Sequence, residues 1–253
     1  MQNVLVMTAI LLLFSSYEFL LRISRLLRPS RNFETNEHFF KRAAHQIFNL
    51  MGAYCRVRLE FENASGRELP ERFLLVCNHQ SLVDIPVLID LFPRRMLRFV
   101  AKRELGRGFP FVSYILRAQG HGLIRRDGDS SQAMRSILRF ARRCEREGTC
   151  PVIFPEGTRS RDGELGAFHT AGVRKILSET ALPMVVAIVE GGWRISRASA
   201  MLRNLRGIRY RVRVLSVTGA LSEKREVLEA IASARVAIGA GLAEMRRAKV
   251  ARK

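Results

Sequence analysis

Apolar and polar positions follow two patterns along this chain. Near the N-terminus, residues 4–14 are apolar except for Thr8, and Phe19-Leu20-Leu21 extends the run before Arg22, Arg25 and Arg28. An apolar run of 11 residues is shorter than the roughly 20 that span a bilayer. The pattern predicts a helix that dips into a membrane or barely crosses it, with residues 22–31 at the anionic surface. The plainer alternative is a buried core helix. Positive charge follows the run instead of preceding it, so a cleaved secretory leader is not expected. Pro29 and Ser30 end this helix. Residues 33–51 read as a second, with Phe39, Phe40, Ala43, Ala44, Ile47, Phe48 and Met51 at three-to-four spacing. Residues 56–62 alternate, with Val57, Leu59 and Phe61 on one side, as in a half-buried strand.

From Phe73 the pattern changes to short apolar runs separated by helical stretches. Strands are predicted at 73–77, 97–101, 121–124, 152–154, 184–189 and 210–217. Helices are predicted up to about Leu91 and over 111–116, 132–147, 173–179 and 221–242. This alternation predicts an α/β fold, a central, largely parallel sheet flanked by helices, preceded by an N-terminal two-helix membrane-binding module. The reading is a membrane-associating module over 1–52 and an α/β domain over 53–253.

Composition adds a strong positive field. The chain has 253 residues, 43 Lys and Arg against 23 Asp and Glu, and a net charge of +20. Its 47% apolar content excludes a disordered chain. Basic residues are interleaved with apolar ones. In 132–147, for example, Arg135, Arg139, Arg142, Arg143 and Arg146 lie opposite an apolar face. Such a field suits nucleic acid, acidic lipid, phosphorylated substrates or an acidic protein. No nucleic-acid recognition motif accompanies it. The four cysteines, Cys55, Cys77, Cys144 and Cys150, form no CxxC pair, so neither a disulfide scaffold nor a metal site is expected.

Two strand-to-helix loops carry unusual chemistry, where parallel sheets place their sites. In the first, Asn78-His79-Gln80-Ser81-Leu82-Val83-Asp84, the Asp falls in the first turn of the next helix. Its carboxylate leans back toward His79, which makes His79 a candidate general base with Asp84 as its orienting group. Ser81 and Asp84 also read as a helix capping box. In the second, Phe154-Pro155-Glu156-Gly157-Thr158-Arg159-Ser160, Gly157 frees the backbone and Arg159 can grip a phosphate. Thr158 and Ser160 add hydroxyl donors, and Glu156 orients Arg159 or contacts a substrate hydroxyl. No GxSxG, GxxxxGK[ST] or GxGxxG motif is present. A base beside a phosphate cradle fits transfer of a group onto a hydroxyl of a phosphorylated substrate, without an enzyme nucleophile.

Residues 78–84 resemble the NHxxxxD motif, and 154–160 the FPEGTRS motif, of the glycerolipid acyltransferase family, whose best-known members are the 1-acylglycerol-3-phosphate acyltransferases. Weaker likenesses are Ala101-Lys102-Arg103-Glu104-Leu105 with Gly120 and Ile124-Arg125-Arg126, and residues 182–186. The resemblance covers about Phe73 to Gly191. It departs at Phe168-His169-Thr170-Ala171-Gly172, where the family's lysine is His169 and the glycine comes one residue later, and at Val186, where a second proline is common. The resemblance implies transfer of a fatty acyl group from acyl-CoA or acyl carrier protein to the free hydroxyl of lysophosphatidic acid, giving phosphatidic acid. His79 is then the general base and Asp84 its partner. Glu156, Gly157, Thr158, Arg159, Arg126 and Lys102 hold the acceptor. No cofactor is implied beyond the acyl donor itself, and no metal. The implied partners are membrane lipids and the lysophospholipid acceptor, at the cytoplasmic face of the cell membrane, with no nucleic acid. Another lysolipid, such as a lyso-ornithine lipid or lysophosphatidylethanolamine, is the alternative acceptor. From other classes, a basic nucleic-acid-binding protein and an inert membrane-surface protein remain as rival readings.

Overall fold

Each short apolar run becomes a strand of one seven-stranded sheet. The computed structural model describes residues 2–27, 32–108, 111–125 and 130–250. The elements are α1 (Gln2–Leu27), α2 (Asn32–Cys55), β1 (Arg58–Asn63), β2 (Leu74–Cys77), α3 (Asp84–Leu91), β3 (Leu97–Lys102), α4 (Val112–Ala118), β4 (Gly122–Ile124), α5 (Ser130–Glu147), β5 (Cys150–Ile153), α6 (Thr170–Thr180), β6 (Pro183–Glu190), α7 (Ala198–Asn204), β7 (Arg209–Ala220) and α8 (Lys224–Val250). Short 3-10 turns occupy Arg103–Gly106 and Gly192–Ile195.

The strand order is β1-β7-β6-β2-β5-β3-β4. Strands β2 to β6 pair in parallel, so their C-terminal ends share one edge. β7 runs antiparallel to β6, and β1 runs parallel to β7. The reversed pair therefore brings the first residues of β7 to the edge where the other strands end. Helices cover both faces, which is why the central strands read as unbroken apolar runs. Phe73, Leu75 and Cys77 face a core shared with Ala44, Ile47, Phe48 and Met51 of α2. Leu74 and Val76 face the opposite core, built with Ile137 and Phe140 of α5, Val173 and Ile176 of α6 and Ile231 of α8. Each such buried side chain contributes roughly 1.5–3 kcal/mol of hydrophobic stabilisation. All four cysteines are buried free thiols.

The N-terminal pair is joined to this body. Val6 and Ile10 of α1 enter the α2-side core, and Tyr17 and Leu21 pack with Ala43, Phe111 and Ile115. The Asn3 amide donates to the Leu202 carbonyl at 2.7 Å, and Glu18 accepts from the Phe111 amide at 2.6 Å. A buried ion pair, Arg98 Nη1 to Glu37 Oε2 at 2.9 Å, ties α2 to β3. The boundary read at 52/53 falls three residues before α2 ends at Cys55.

α1 is longer than its apolar run suggests. It has 26 residues and an 18-residue stretch of mean hydropathy 2.1, long and apolar enough by length and composition to cross a membrane. Its polar middle does not break it: the Ser16 hydroxyl bonds back to the Leu12 carbonyl at 2.9 Å, and Glu18 pairs with Arg22 one turn on at 2.6 Å. One stripe packs on the body, while Leu5, Leu12, Phe19 and Leu26 are at least 64% exposed. α7 and both 3-10 turns are absent from the sequence reading. The segment 191–208, which holds α7 and the second of these turns, has no periodic apolar pattern to announce them.

Candidate active site

The first loop is held in place by side chains that extend the sheet past its last backbone rung. The Asn78 carboxamide donates to the Val189 carbonyl and accepts from the Val189 amide, both at 2.8 Å, which locks the end of β2 to β6. Gln80 Nε2 donates to Glu190 Oε2 at 2.9 Å. The His79 amide donates to Glu156 Oε1 at 2.7 Å, and the His79 carbonyl accepts from the Ser160 amide at 2.8 Å. Both sides of the His79 backbone are thus bound to the loop after β5. Its ring stacks on Phe154, with centroids 4.0 Å apart and planes 13° from parallel.

His79 Nδ1 lies 2.7 Å from Asp84 Oδ2. Asp84, the first residue of α3, is fully buried. Its Oδ2 also accepts from the Gln80 and Ser81 amides at 2.7 and 2.9 Å, and its Oδ1 accepts from the Tyr210 hydroxyl. These four donors compensate the loss of water around the carboxylate. With the Nδ1 proton shared with Asp84, Nε2 presents its lone pair outward. Among the described residues no hydrogen bond reaches Nε2, and the side chain is 10% exposed. This is the geometry of a general base. The capping box is half formed. Asp84 takes the Ser81 amide, but the Ser81 hydroxyl donates to the Ile195 carbonyl at 3.2 Å and accepts from the Val83 amide.

Tyr210 is absent from the sequence reading. It stands at the start of reversed β7, 126 positions from its partner. Burial, and then the charge of Asp84, push the phenol well above its ordinary range, so it stays a proton donor. Gly192 makes room for this contact: a Cβ there would lie 2.1 Å from the Tyr210 hydroxyl and 2.8 Å from Asp84 Oδ1. Cys77, directly below the loop, is held as a neutral thiol by burial, which leaves it no nucleophilic role.

The second loop departs from expectation at Glu156. That side chain is buried, and its oxygens accept from the His79 and Gly166 amides at 2.7 and 2.8 Å. It braces the two loops together and makes no hydrogen bond to Arg159. Burial raises its pKa above the ordinary value against the pull of those two amides. Gly157 adopts φ +67°, beside the His169 ring. Thr158 is exposed. Arg159 is half-buried and donates from Nη1 to the Ser196 carbonyl at 2.9 Å. Lys102 is half-buried at the end of β3, 3.8 Å from Glu104. Arg126 lies outside the described residues. His169 caps the start of α6, its amide donating to the Pro155 carbonyl at 2.8 Å. The parallel strands thus bring His79, Asp84, Gly157, Arg159 and Lys102 to one edge of the sheet.

Comparison with known proteins gives the family. The family profile described as Acyltransferase matches residues 58–190, which contain both loops. A 1-acyl-sn-glycerol-3-phosphate acyltransferase of Cocos nucifera is 35% identical over 126 residues, covering 49% of this chain and 40% of that protein. One from Helicobacter pylori is 31% identical over 154 residues, 60% of each. A lyso-ornithine lipid O-acyltransferase of Pseudomonas aeruginosa is 36% identical over 112 residues, covering 44% of this chain and 41% of that protein. The matches thus span about two fifths to three fifths of the length of these relatives. A crystal structure of a 1-acyl-sn-glycerophosphate acyltransferase from Thermotoga maritima superposes over 97% of this chain and 98% of that one, with a TM-score of 0.63 and 18% identity, so it shares the fold. With more than half of its length inside the profile, and that half running from β1 through both loops to the end of β6, this chain belongs to the Acyltransferase family.

Proposed function

We propose that this chain is a membrane-associated glycerolipid acyltransferase that moves a fatty acyl group from a thioester, acyl-CoA or acyl carrier protein, to the free hydroxyl of lysophosphatidic acid. The observation that carries the reading is the His79–Asp84 pair, with no hydrogen bond on Nε2 among the described residues. His79 Nε2 takes the hydroxyl proton as the oxygen attacks the thioester carbonyl. Asp84 balances the imidazolium that forms. The tetrahedral intermediate collapses by breaking the C–S bond, and the imidazolium returns its proton to the leaving thiolate. Arg159, the Gly157 turn, Thr158, Lys102 and Arg126 position the acceptor phosphate, and Glu156 holds the loops in register. The exposed apolar stripe of α1 and the basic surface fit an anionic membrane, read as the cytoplasmic face.

A second acceptor, a lyso-ornithine lipid, is favoured by relatives that carry that name at 36% and 32% identity. The test is thiol release from acyl-CoA by the detergent-solubilised protein, with and without each lysolipid. Acceptor-dependent release is expected, and His79→Ala should abolish it while leaving the melting temperature near wild type. Retention of more than about a tenth of the rate, against the 10²-fold or more that a general base contributes, would exclude the role given to His79.

A further inference from the structure

The last helix returns to the catalytic edge of the sheet. β7 runs antiparallel to β6, so it ends at the edge opposite His79. α8 then runs back along the sheet, with Ile231, Ile238 and Met245 in the core. Its final turns arrive beside the loop that follows β5. There the Arg246 guanidinium makes three contacts. Nη1 pairs with Glu164 Oε1 at 2.7 Å, Nη2 donates to the Gly163 carbonyl, and Nη2 lies 3.7 Å from Glu190 Oε2. Gly163 has no room for a side chain at this contact. Its φ is +90°, and a Cβ would stand 2.6 Å from Arg246 Nη2 and 2.9 Å from Trp193 Cδ1.

The partners of Arg246 lead to the chemistry. The Gly163 amide donates to Ser160 Oγ at 2.9 Å, and that hydroxyl donates to Asp162 Oδ1 at 3.0 Å, so residues 160–163 form one tight turn. The Ser160 amide is bound to the His79 carbonyl. Arg159, assigned above to the acceptor, is the residue before Ser160. A restraint at Gly163 therefore steadies the turn on one side of Arg159, as Glu156 does on the other. Glu190, buried at the end of β6, also accepts from Gln80 Nε2 at 2.9 Å and from the Trp193 indole at 3.3 Å, and Gln80 follows His79. Among the described residues, Arg246 is the one cation paired with this carboxylate, and a buried carboxylate left without its counter-charge is costly. We infer that Arg246 is a positioning residue of the acceptor site. Its guanidinium pins the 160–164 turn to α8 and to Glu190, and so holds Arg159 where it meets the acceptor headgroup. The planar fork of an arginine serves several acceptors in one fixed geometry, which a lysine cannot do. The inference rests on the acyl-transfer reading and adds to it a residue beyond position 190, where the family profile ends.

The test compares wild type, Arg246→Gln, Arg246→Lys and Arg213→Gln, each as the full chain in detergent. Arg213 carries the same charge and also anchors α8, through Glu244 at 2.9 Å, but its partners Glu62 and Glu244 lie outside the catalytic loops. One readout is amide hydrogen exchange over residues 155–168. The other is kcat and KM with the acyl thioester and with lysophosphatidic acid, or with lyso-ornithine lipid if wild type uses that acceptor. Arg246→Gln should exchange faster over the loop and raise the acceptor KM about tenfold, as for a misplaced charge-assisted contact. Its kcat and its KM for the thioester should stay within about twofold of wild type. Arg246→Lys should recover part of both effects, and Arg213→Gln should match wild type. Unchanged exchange in Arg246→Gln would overturn the inference, as would faster exchange with an unchanged acceptor KM. Equal losses in Arg213→Gln would reduce the effect to the docking of α8 and overturn it. An Arg246→Lys protein with normal acceptor KM and fast exchange would assign the effect to charge and also overturn it. Faster exchange in Arg246→Gln, with no acyl transfer by wild type from either thioester, would overturn the reaction and leave the tether standing.

Discussion

At the scale of single residues, the site depends on how a buried carboxylate is shared. Asp84 has one oxygen occupied by His79 and two amides and the other by Tyr210. Tyr210→Phe leaves that second oxygen buried and unpaired, which costs about 1–3 kcal/mol. The carboxylate then concentrates its charge on the oxygen facing the imidazole. A fall in kcat of roughly tenfold to a hundredfold, at nearly constant KM for the lysolipid, is expected. A variant that shifts only the melting temperature would make Tyr210 purely structural. Arg159→Ala should act differently, raising the acceptor KM more than it lowers kcat, since the side chain is assigned to binding and not to proton transfer. An unchanged acceptor KM would remove it from the cradle. His79 and Asp84 were legible in the sequence because five positions at a strand-to-helix junction fix their geometry locally. Tyr210 was not, because its approach depends on the reversal of β7. Glu156 was read as orienting Arg159 or contacting a substrate hydroxyl, and its bracing role was hidden for a related reason. A Glu in a polar loop looks exposed, and only the folded chain shows that the His79 and Gly166 amides enclose it.

At the scale of elements, the central strands β2, β3, β5 and β6 were the most legible feature, because burial on both faces writes each one as a short continuous apolar run. Helix limits were less so. The middle of α1 contains Ser15, Ser16 and Glu18, which interrupt an apolar run but not a helix, since tertiary and i,i+4 contacts satisfy Ser16 and Glu18. α1 therefore presents two faces, one holding Val6, Ile10, Tyr17 and Leu21 against the body and one displaying Leu5, Leu12, Phe19 and Leu26. Leu12→Glu with Phe19→Glu alters only the displayed face. Flotation with phospholipid vesicles should show membrane binding strongly reduced while circular dichroism and melting stay close to wild type. Undiminished flotation would mean that another surface meets the bilayer.

At the scale of the whole molecule, pH acts through a buried imidazole outside the His79–Asp84 pair. His121 accepts the Phe99 amide on Nδ1 at 3.0 Å and faces Gln119 through Nε2. Burial, followed by the charges of Arg98 and Arg143, lowers its pKa well below the ordinary 6.5. The folded protein keeps this ring neutral, whereas the unfolded chain protonates it below about pH 6.5. Its contribution is therefore complete above that pH and is lost as pH falls, by roughly 1 kcal/mol per pH unit. Denaturation midpoints should drop between pH 6.5 and 5, and His121→Asn, which keeps an acceptor but does not titrate, should flatten that slope. An equal slope in both proteins would assign the acid sensitivity to other groups.

The reversed edge of the sheet also changes what counts as the working unit. The family profile stops at residue 190, yet the phenol that completes the Asp84 shell lies beyond it. Similarity between relatives is thus recorded up to a point that the chemistry passes through. A fragment cut at that limit would retain His79 and Asp84, lose a donor to the carboxylate, and bare the β6 edge that β7 covers. Relatives aligned only over that stretch can share a reaction and still differ in how strongly their base is tuned. In this fold, divergence between enzymes has room to accumulate in the segment beyond the profile.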